Sequence, residues 1–292
     1  MPKNIVIAVD ANERTLDAVA LGHRLADATG APALLVTVFG HHPLHDPEDP
    51  ELVAVRAEAR ETLLELARAE GLEVADARVI PGNFAARELQ HLSEEPDTGL
   101  VVVGSTMRGP VGRLLLGGVG ERLLAGGACP VAVAPRGYGE RAPARLGCIG
   151  VGVDSSQEAR FALDAAVALA TACGARVRVI TAFNRLAFGA ATTSALPGPS
   201  ANDAMRSELR AVHDEAIAGI PAAVESESRF VDGAADDVLV AESEDVDLLV
   251  VGSRGYGPLG AVLLGSVSTA LARAARCPII VTPRETPFVL LT

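Results

Sequence analysis

The sequence predicts an α/β fold made of two tandem three-layer α/β/α sandwiches, each with a parallel sheet at its centre. The first observation behind this is a repeat. The segment "IVIAVDANE" at 5–13 returns as "IGVGVDSSQ" at 149–157, and "LVVVGSTMRGPVGRLLLGGV" at 100–119 returns as "LLVVGSRGYGPLGAVLLGSV" at 248–267, so a unit of about 145 residues is duplicated. The second is the alternation, within each half, of short aliphatic runs with longer amphipathic ones, as β-α-β units require. The third is that runs such as "IVIAV" and "LLVVG" are apolar on both faces. A strand wet on one face alternates polar and apolar residues; a strand with no polar face must be covered by helices on both sides, as in parallel sheets.

In the first half, strand signals fall at 4–10, 33–39, 74–79, 100–103 and 131–134, and helix signals at 13–29, 51–70, 84–94 and 113–126. The second half repeats the order, with strands at 147–153, 176–182, 224–230, 248–252 and 279–282 and helices at 157–173, 202–218, 234–243 and 263–275. Strands joined through helices run parallel by crossover connections. The two expected domains, 1–140 and 146–292, meet at "PRGYGERAPAR" (135–145), where proline and glycine are expected to interrupt any regular element. Long loops at 40–50 and 184–200 follow the second strand of each half. Beside the carboxyl ends of parallel strands such loops are candidate lids over a ligand.

The 292 residues, 49% hydrophobic and 21% charged, are enough for two folded cores. A formal net charge of −12 without a Lys/Arg block repels phosphate backbones, which argues against nucleic acid as a partner. It does not argue against a small phosphate ligand held by local backbone donors. No apolar run approaches the roughly 18 residues of a membrane span, and the N-terminus "MPKNIVIAVD" lacks a small-residue cleavage site. A cytoplasmic protein with no membrane partner is expected. Cys129, Cys148, Cys173 and Cys277 form no C-x-x-C pair and have no ligand spacing with histidine, so free, mostly buried thiols are expected. His41, His42 and His45, flanked by Asp46, Glu48 and Asp49, form either a polar surface loop, the favoured reading, or a metal site. His23, His91 and His213 lie in helical stretches without a recognisable nucleophile partner, and no catalytic constellation stands out.

The strongest local signal follows the fourth strand of the second half. Gly252 and Gly255 are followed after nine residues by Gly265 and Ser266, then by Val267 and Ser268. Glycines after a strand let the backbone turn sharply and approach a phosphate, while amides at the next helix N-terminus point at its oxygens. Such turns also serve simply to close the chain. Asp154 falls just past the first strand of the same half, where it can accept from ribose or adenine groups, cap the following helix through Ser155 or Ser156, or accept backbone donors.

Together these residues resemble the universal stress protein domain in its tandem, ATP-binding form. The resemblance runs from "NIVIAVD" to "APR" and from "CIGVGVD" to "TPR". The subgroup's pattern of glycine, two residues, glycine, nine residues, glycine and then serine or threonine is met at Gly252, Gly255, Gly265 and Ser266. The resemblance implies a five-stranded sheet in the order 3-2-1-4-5 in each half, with ATP and its Mg²⁺ across the ends of strands 1 and 4. It implies that Val153 and Asp154 border adenosine and that Ala182 supplies a small apolar or backbone contact to the base. Gly252, Arg254 and Gly255 would line the phosphate turn, and Gly265, Ser266, Val267 and Ser268 the phosphate and ribose surface. Arg254 either touches phosphate or is a solvated loop charge. The last strands, "PVAVA" and "PIIVT", would pair antiparallel within the chain, with a homodimer and an unidentified protein client as further partners.

The first half departs at the informative positions. Met107 stands in place of Gly255, Gly118 of Ser266 and Gly120 of Ser268, while Asp10, Val38, Gly104 and Gly117 are retained. A methionine obstructs backbone approach to phosphate, and two lost hydroxyls remove donors. A site formed by Val9, Asp10, Val38, Gly104, Gly117 and Gly118 is therefore expected to be empty or weaker, with Arg108 and Arg113 as compensating charge. The function expected is that of an ATP-binding, nucleotide-responsive regulatory or stress-protection protein. A slow Mg-dependent ATPase and a nucleotide-free structural or interaction protein are the open alternatives.

Overall fold

The doubly apolar runs assemble side by side. In the computed structural model, which describes residues 3–10, 15–40, 49–105, 117–184, 201–253 and 265–283, ten strands form one sheet. The first half supplies β1 (Asn4–Ala8), β2 (Ala33–Phe39), β3 (Val74–Pro81), β4 (Thr98–Gly104) and β5 (Val131–Ala134). The second supplies β6 (Cys148–Gly152), β7 (Arg176–Phe183), β8 (Ser226–Asp232), β9 (Leu248–Gly252) and β10 (Ile279–Thr282). Their spatial order, β3-β2-β1-β4-β5-β10-β9-β6-β7-β8, makes each half a parallel sheet in the order 3-2-1-4-5. The halves join where β5 and β10 run antiparallel, Val133 opposite Ile279 and Val131 opposite Val281. This pairing closes two edges that would otherwise offer unpaired backbone groups.

Helices cover both faces. On one lie α1 (Thr15–Thr29), α2 (Pro50–Ala69), α6 (Gln157–Cys173) and α7 (Ala201–Ala218); on the other lie α3 (Ala85–Glu94), α4 (Gly118–Gly126), α8 (Ala235–Glu242) and α9 (Ser266–Ala274). Successive strand residues feed opposite cores: Ile5 and Ile7 of β1 pack under α1 and α2, and Val6 packs under α3 and α4. The inward face of α6 is nearly all alanine, with Ala162, Ala165, Ala166 and Ala170 buried, so this helix sits close to the sheet.

Two expectations are corrected. The linker does contain a regular element, a single helical turn α5 (Tyr138–Arg141). Asp17 on α1, 8% exposed, holds it: its two carboxylate oxygens accept from the amides of Gly137 (2.9 Å) and Gly139 (2.8 Å), while the Tyr138 ring is buried in the core. The helices expected from 113 and 263 begin instead at Gly118 and Ser266, because Gly117 (ψ 174) and Gly265 (ψ 157) keep an extended backbone. Most of the two long loops, together with His41, His42 and His45, lies outside the described residues. Asp49, at the end of the first loop, caps α2 by accepting from the Glu51 amide at 2.9 Å. The four cysteines are free, with Cys129, Cys148 and Cys277 buried; burial pushes the Cys129 thiol up to about 12.

Candidate functional site

β6 and β9 are neighbours, Ile149 opposite Leu248 and Val151 opposite Val250, yet the chain leaves them for helices on opposite faces, α6 and α9. The crevice at the carboxyl ends of two such strands is the switch point of a doubly wound sheet, where neither connection covers the strand ends. A cavity of about 570 Å³ opens there. Val153, Asp154, Ala182, Gly252, Gly265, Ser266, Val267 and Ser268 all line it. Arg254 and Gly255 lie outside the described residues.

Each lining residue is held by its own element. The Val153 amide donates to the Ile180 carbonyl at 2.9 Å, continuing the β6–β7 ladder to the cavity's edge. Asp154 Oδ1 accepts from the Ser156 amide at 2.9 Å and from the Ser156 hydroxyl, and Ser156 Oγ in turn accepts from the Ala159 amide at 3.2 Å. The capping role weighed for Asp154 is thus present, and it fixes the carboxylate at the mouth of the crevice. Gly252 has a packing reason that the sequence reading missed. A Cβ there would lie 2.6 Å from Glu158 Cβ and 2.8 Å from the Glu158 carbonyl oxygen, so α6 reaches β9 only over a glycine. Gly265 caps α9 without a side-chain acceptor, leaving the first-turn amides facing the cavity. Of the two serines, Ser266 is exposed, whereas Ser268 is 1% exposed with its hydroxyl 3.4 Å from the Gly252 carbonyl.

The cavity also has an apolar wall that sequence reasoning did not find. Phe183 ends β7, and Met205 and Leu209, one helical turn apart on α7, stand beside it, with Ala234, Ala235 and Asp236 closing the far side. The i, i+4 spacing of Met205 and Leu209 is visible in the sequence, but nothing there says which turn of α7 overhangs the strand ends. Behind this wall, His213 is fully buried between Thr181 Oγ1 (2.9 Å) and Ser228 Oγ (2.8 Å). The Thr181 hydroxyl donates to the Val153 carbonyl at 2.9 Å, so it accepts from the imidazole and places the proton on Nδ1. Nε2 then accepts from Ser228. Burial, and secondarily the charge of Arg210, hold the His213 imidazole below the usual histidine range.

The corresponding crevice of the first half, at the ends of β1 and β4, holds a cavity of about 310 Å³. Val9, Asp10, Val38, Gly104, Gly117 and Gly118 line it; Met107, Arg108 and Arg113 lie outside the described residues.

A model of the universal stress protein family matches residues 1–135 and, again, 148–283. The chain belongs to the universal stress protein family. A universal stress protein of Mycobacterium tuberculosis is 35% identical over 191 residues, which cover 62% of this chain and 61% of that protein. The chain therefore spans about six tenths of that relative's length. One of Bacillus subtilis is 29% identical over 143 residues, 45% of this chain and 95% of that protein. Among solved structures, a universal stress protein from Archaeoglobus fulgidus shares the fold with a TM-score of 0.68 at 19% identity, covering 97% of this chain and 98% of that one. No described helix of this universal stress protein is long and apolar enough to cross a membrane.

Proposed function

We propose that the second half of this universal stress protein binds an adenine nucleotide, ATP with Mg²⁺, and that the protein is a nucleotide-responsive regulatory or stress-protection protein. One observation carries the reading: Asp154, Ala182, Gly252 and the uncapped first turn of α9 meet around one strand-end cavity. A helix N-terminus presents unpaired amides and about half a positive charge, which suits phosphate oxygens. The exposed Ser266 hydroxyl adds a donor beside them. The opposite flank, Val153, Ala182, Phe183 and Leu209, suits a planar heterocycle, and Asp154 between the two flanks suits ribose hydroxyls. About 570 Å³ falls within the range of small-molecule cavities. Mg²⁺ needs few protein ligands because it keeps several waters and takes phosphate oxygens, and Ser266 would offer it a hydroxyl. Binding is favoured over turnover because one oxygen of Asp154 is engaged by both the amide and the hydroxyl of Ser156, which suits it poorly to act as a general base. A cytoplasmic site of action, a homodimer and a protein client belong to the same proposal.

Titration calorimetry with Mg-ATP tests it. Saturable binding is expected, abolished by Ala182→Phe, which fills the crevice, and weakened about tenfold, or ~1.4 kcal/mol, by Ser266→Ala. Absence of saturable heat with the unaltered chain would remove the ligand from the reading.

A further inference from the structure

Among the described residues, which do not include Arg108 and Arg113, the first-half cavity differs from the second in ways that weaken its hold on a phosphate. It is about 310 Å³ against about 570 Å³. At the helix start beside it, Gly118 and Gly120 stand where α9 has Ser266 and Ser268, so both hydroxyls are gone. The next position of α4 is Glu121, in its first turn, whereas the first turn of α9 holds no acidic residue. A carboxylate there is stabilised by the same amides and dipole that would attract a phosphate, and it cancels their pull on one. Asp10, exposed at the rim, takes the place of Asp154 and keeps a carboxylate at the mouth of the crevice. Most of what remains is apolar: Val9, Val36, Val38, Leu89, Val103 and Val119 line the cavity, with Thr37 and Ser105 as its hydroxyl-bearing members. Phe84, 63% exposed, immediately precedes Ala85 of the wall, at the N-cap position that Ala234 occupies in the second half.

From these features we infer that the first-half cavity is a separate site for an uncharged, nucleoside-sized planar ligand, not a weakened copy of an ATP site. The inference uses the nucleotide reading of the second half only as its contrast. The valine walls take the ring, and the Asp10 carboxylate accepts from hydroxyls, a pairing that gains nothing from phosphates.

Adenosine is the probe, titrated against Mg-ATP by calorimetry into the full chain. With the second cavity filled by Ala182→Phe, the chain is expected to keep one adenosine site and to prefer adenosine over Mg-ATP by at least about tenfold. Val38→Phe is expected to remove that site and leave Mg-ATP binding in the second half intact. Should Val38→Phe fail to fold, the paired exchange Gly118→Ser and Glu121→Thr, at an exposed helix start, carries the test in the Ala182→Phe background by reducing the preference for adenosine several-fold. No adenosine binding once Ala182→Phe is present, or equal affinity for Mg-ATP there, overturns the inference. The two readings fail separately: Mg-ATP binding that is absent from the unaltered chain, or indifferent to Ala182→Phe, overturns the second-half proposal alone.

Discussion

Gly252 is held to glycine by the backbone of Glu158 before any ligand arrives. Gly252→Ala is expected to destabilise the chain by about 1–3 kcal/mol through overpacking, read as a lower urea midpoint; an unchanged midpoint would show that α6 can retreat at little cost. A buried ion pair makes a second residue-scale case. Arg178 (8% exposed) donates to Glu242 (6% exposed) at 3.2 Å, and Arg229 reaches the same carboxylate at 2.8 Å. The first half has Leu34 and Leu92 at the matching positions; Ser93 and Ser243, the next residues along, make the same pair of hydrogen bonds in each half. Glu242→Ala is expected to cost about 1–3 kcal/mol, because Arg178 loses its buried partner but keeps Glu227 at 3.0 Å, whereas Arg178→Leu with Glu242→Leu is expected to be neutral or stabilising in chemical denaturation. His213 supplies a pH dependence. Its folded-state value is depressed, so below the unfolded value of about 6.5 the unfolded chain takes up the proton first and stability falls. Between pH 7.5 and 5 the loss of stability is expected to be smaller in His213→Gln; parallel curves would exclude this source. At this scale the place of Gly252, Gly265 and Asp154 at one crevice was legible from spacing, but the His213 partners were not, because Thr181 and Ser228 come from two different strands.

Element positions followed closely from periodicity because each central strand is sandwiched and each helix has one buried stripe. β2, β5, β9, β10 and α6 lie where the apolar runs place them. What escaped were features set by one distant contact. The linker turn α5 exists because Asp17, some 120 residues earlier, satisfies two of its amides, a relation that local propensity does not contain. Asp17→Ala is expected to lose the hydrogen-exchange protection of the Gly137 and Gly139 amides by about tenfold or more, with little change in β1 or β6. Undiminished protection would assign the turn to Tyr138 burial instead. The late starts of α4 and α9 have a similar origin: extended glycines at 117 and 265 hold each helix N-terminus at its cavity.

At the scale of the molecule, the duplication gives two strand-end crevices in one continuous sheet, joined through the antiparallel β5–β10 ladder. The sheet order in each half and this joint were legible from the repeat and the family resemblance. The apolar wall of Phe183, Met205 and Leu209 was not, since it depends on where α7 crosses the strand ends. The two halves share a backbone plan and differ in the chemistry at their helix starts, which is the basis for assigning them different ligands. Native mass spectrometry of the purified full chain, stripped of small molecules and re-equilibrated with Mg-ATP, addresses that assignment most directly. The account predicts one ATP per chain, lost in Ala182→Phe; no ATP, or a stoichiometry that Ala182→Phe leaves unchanged, would contradict it.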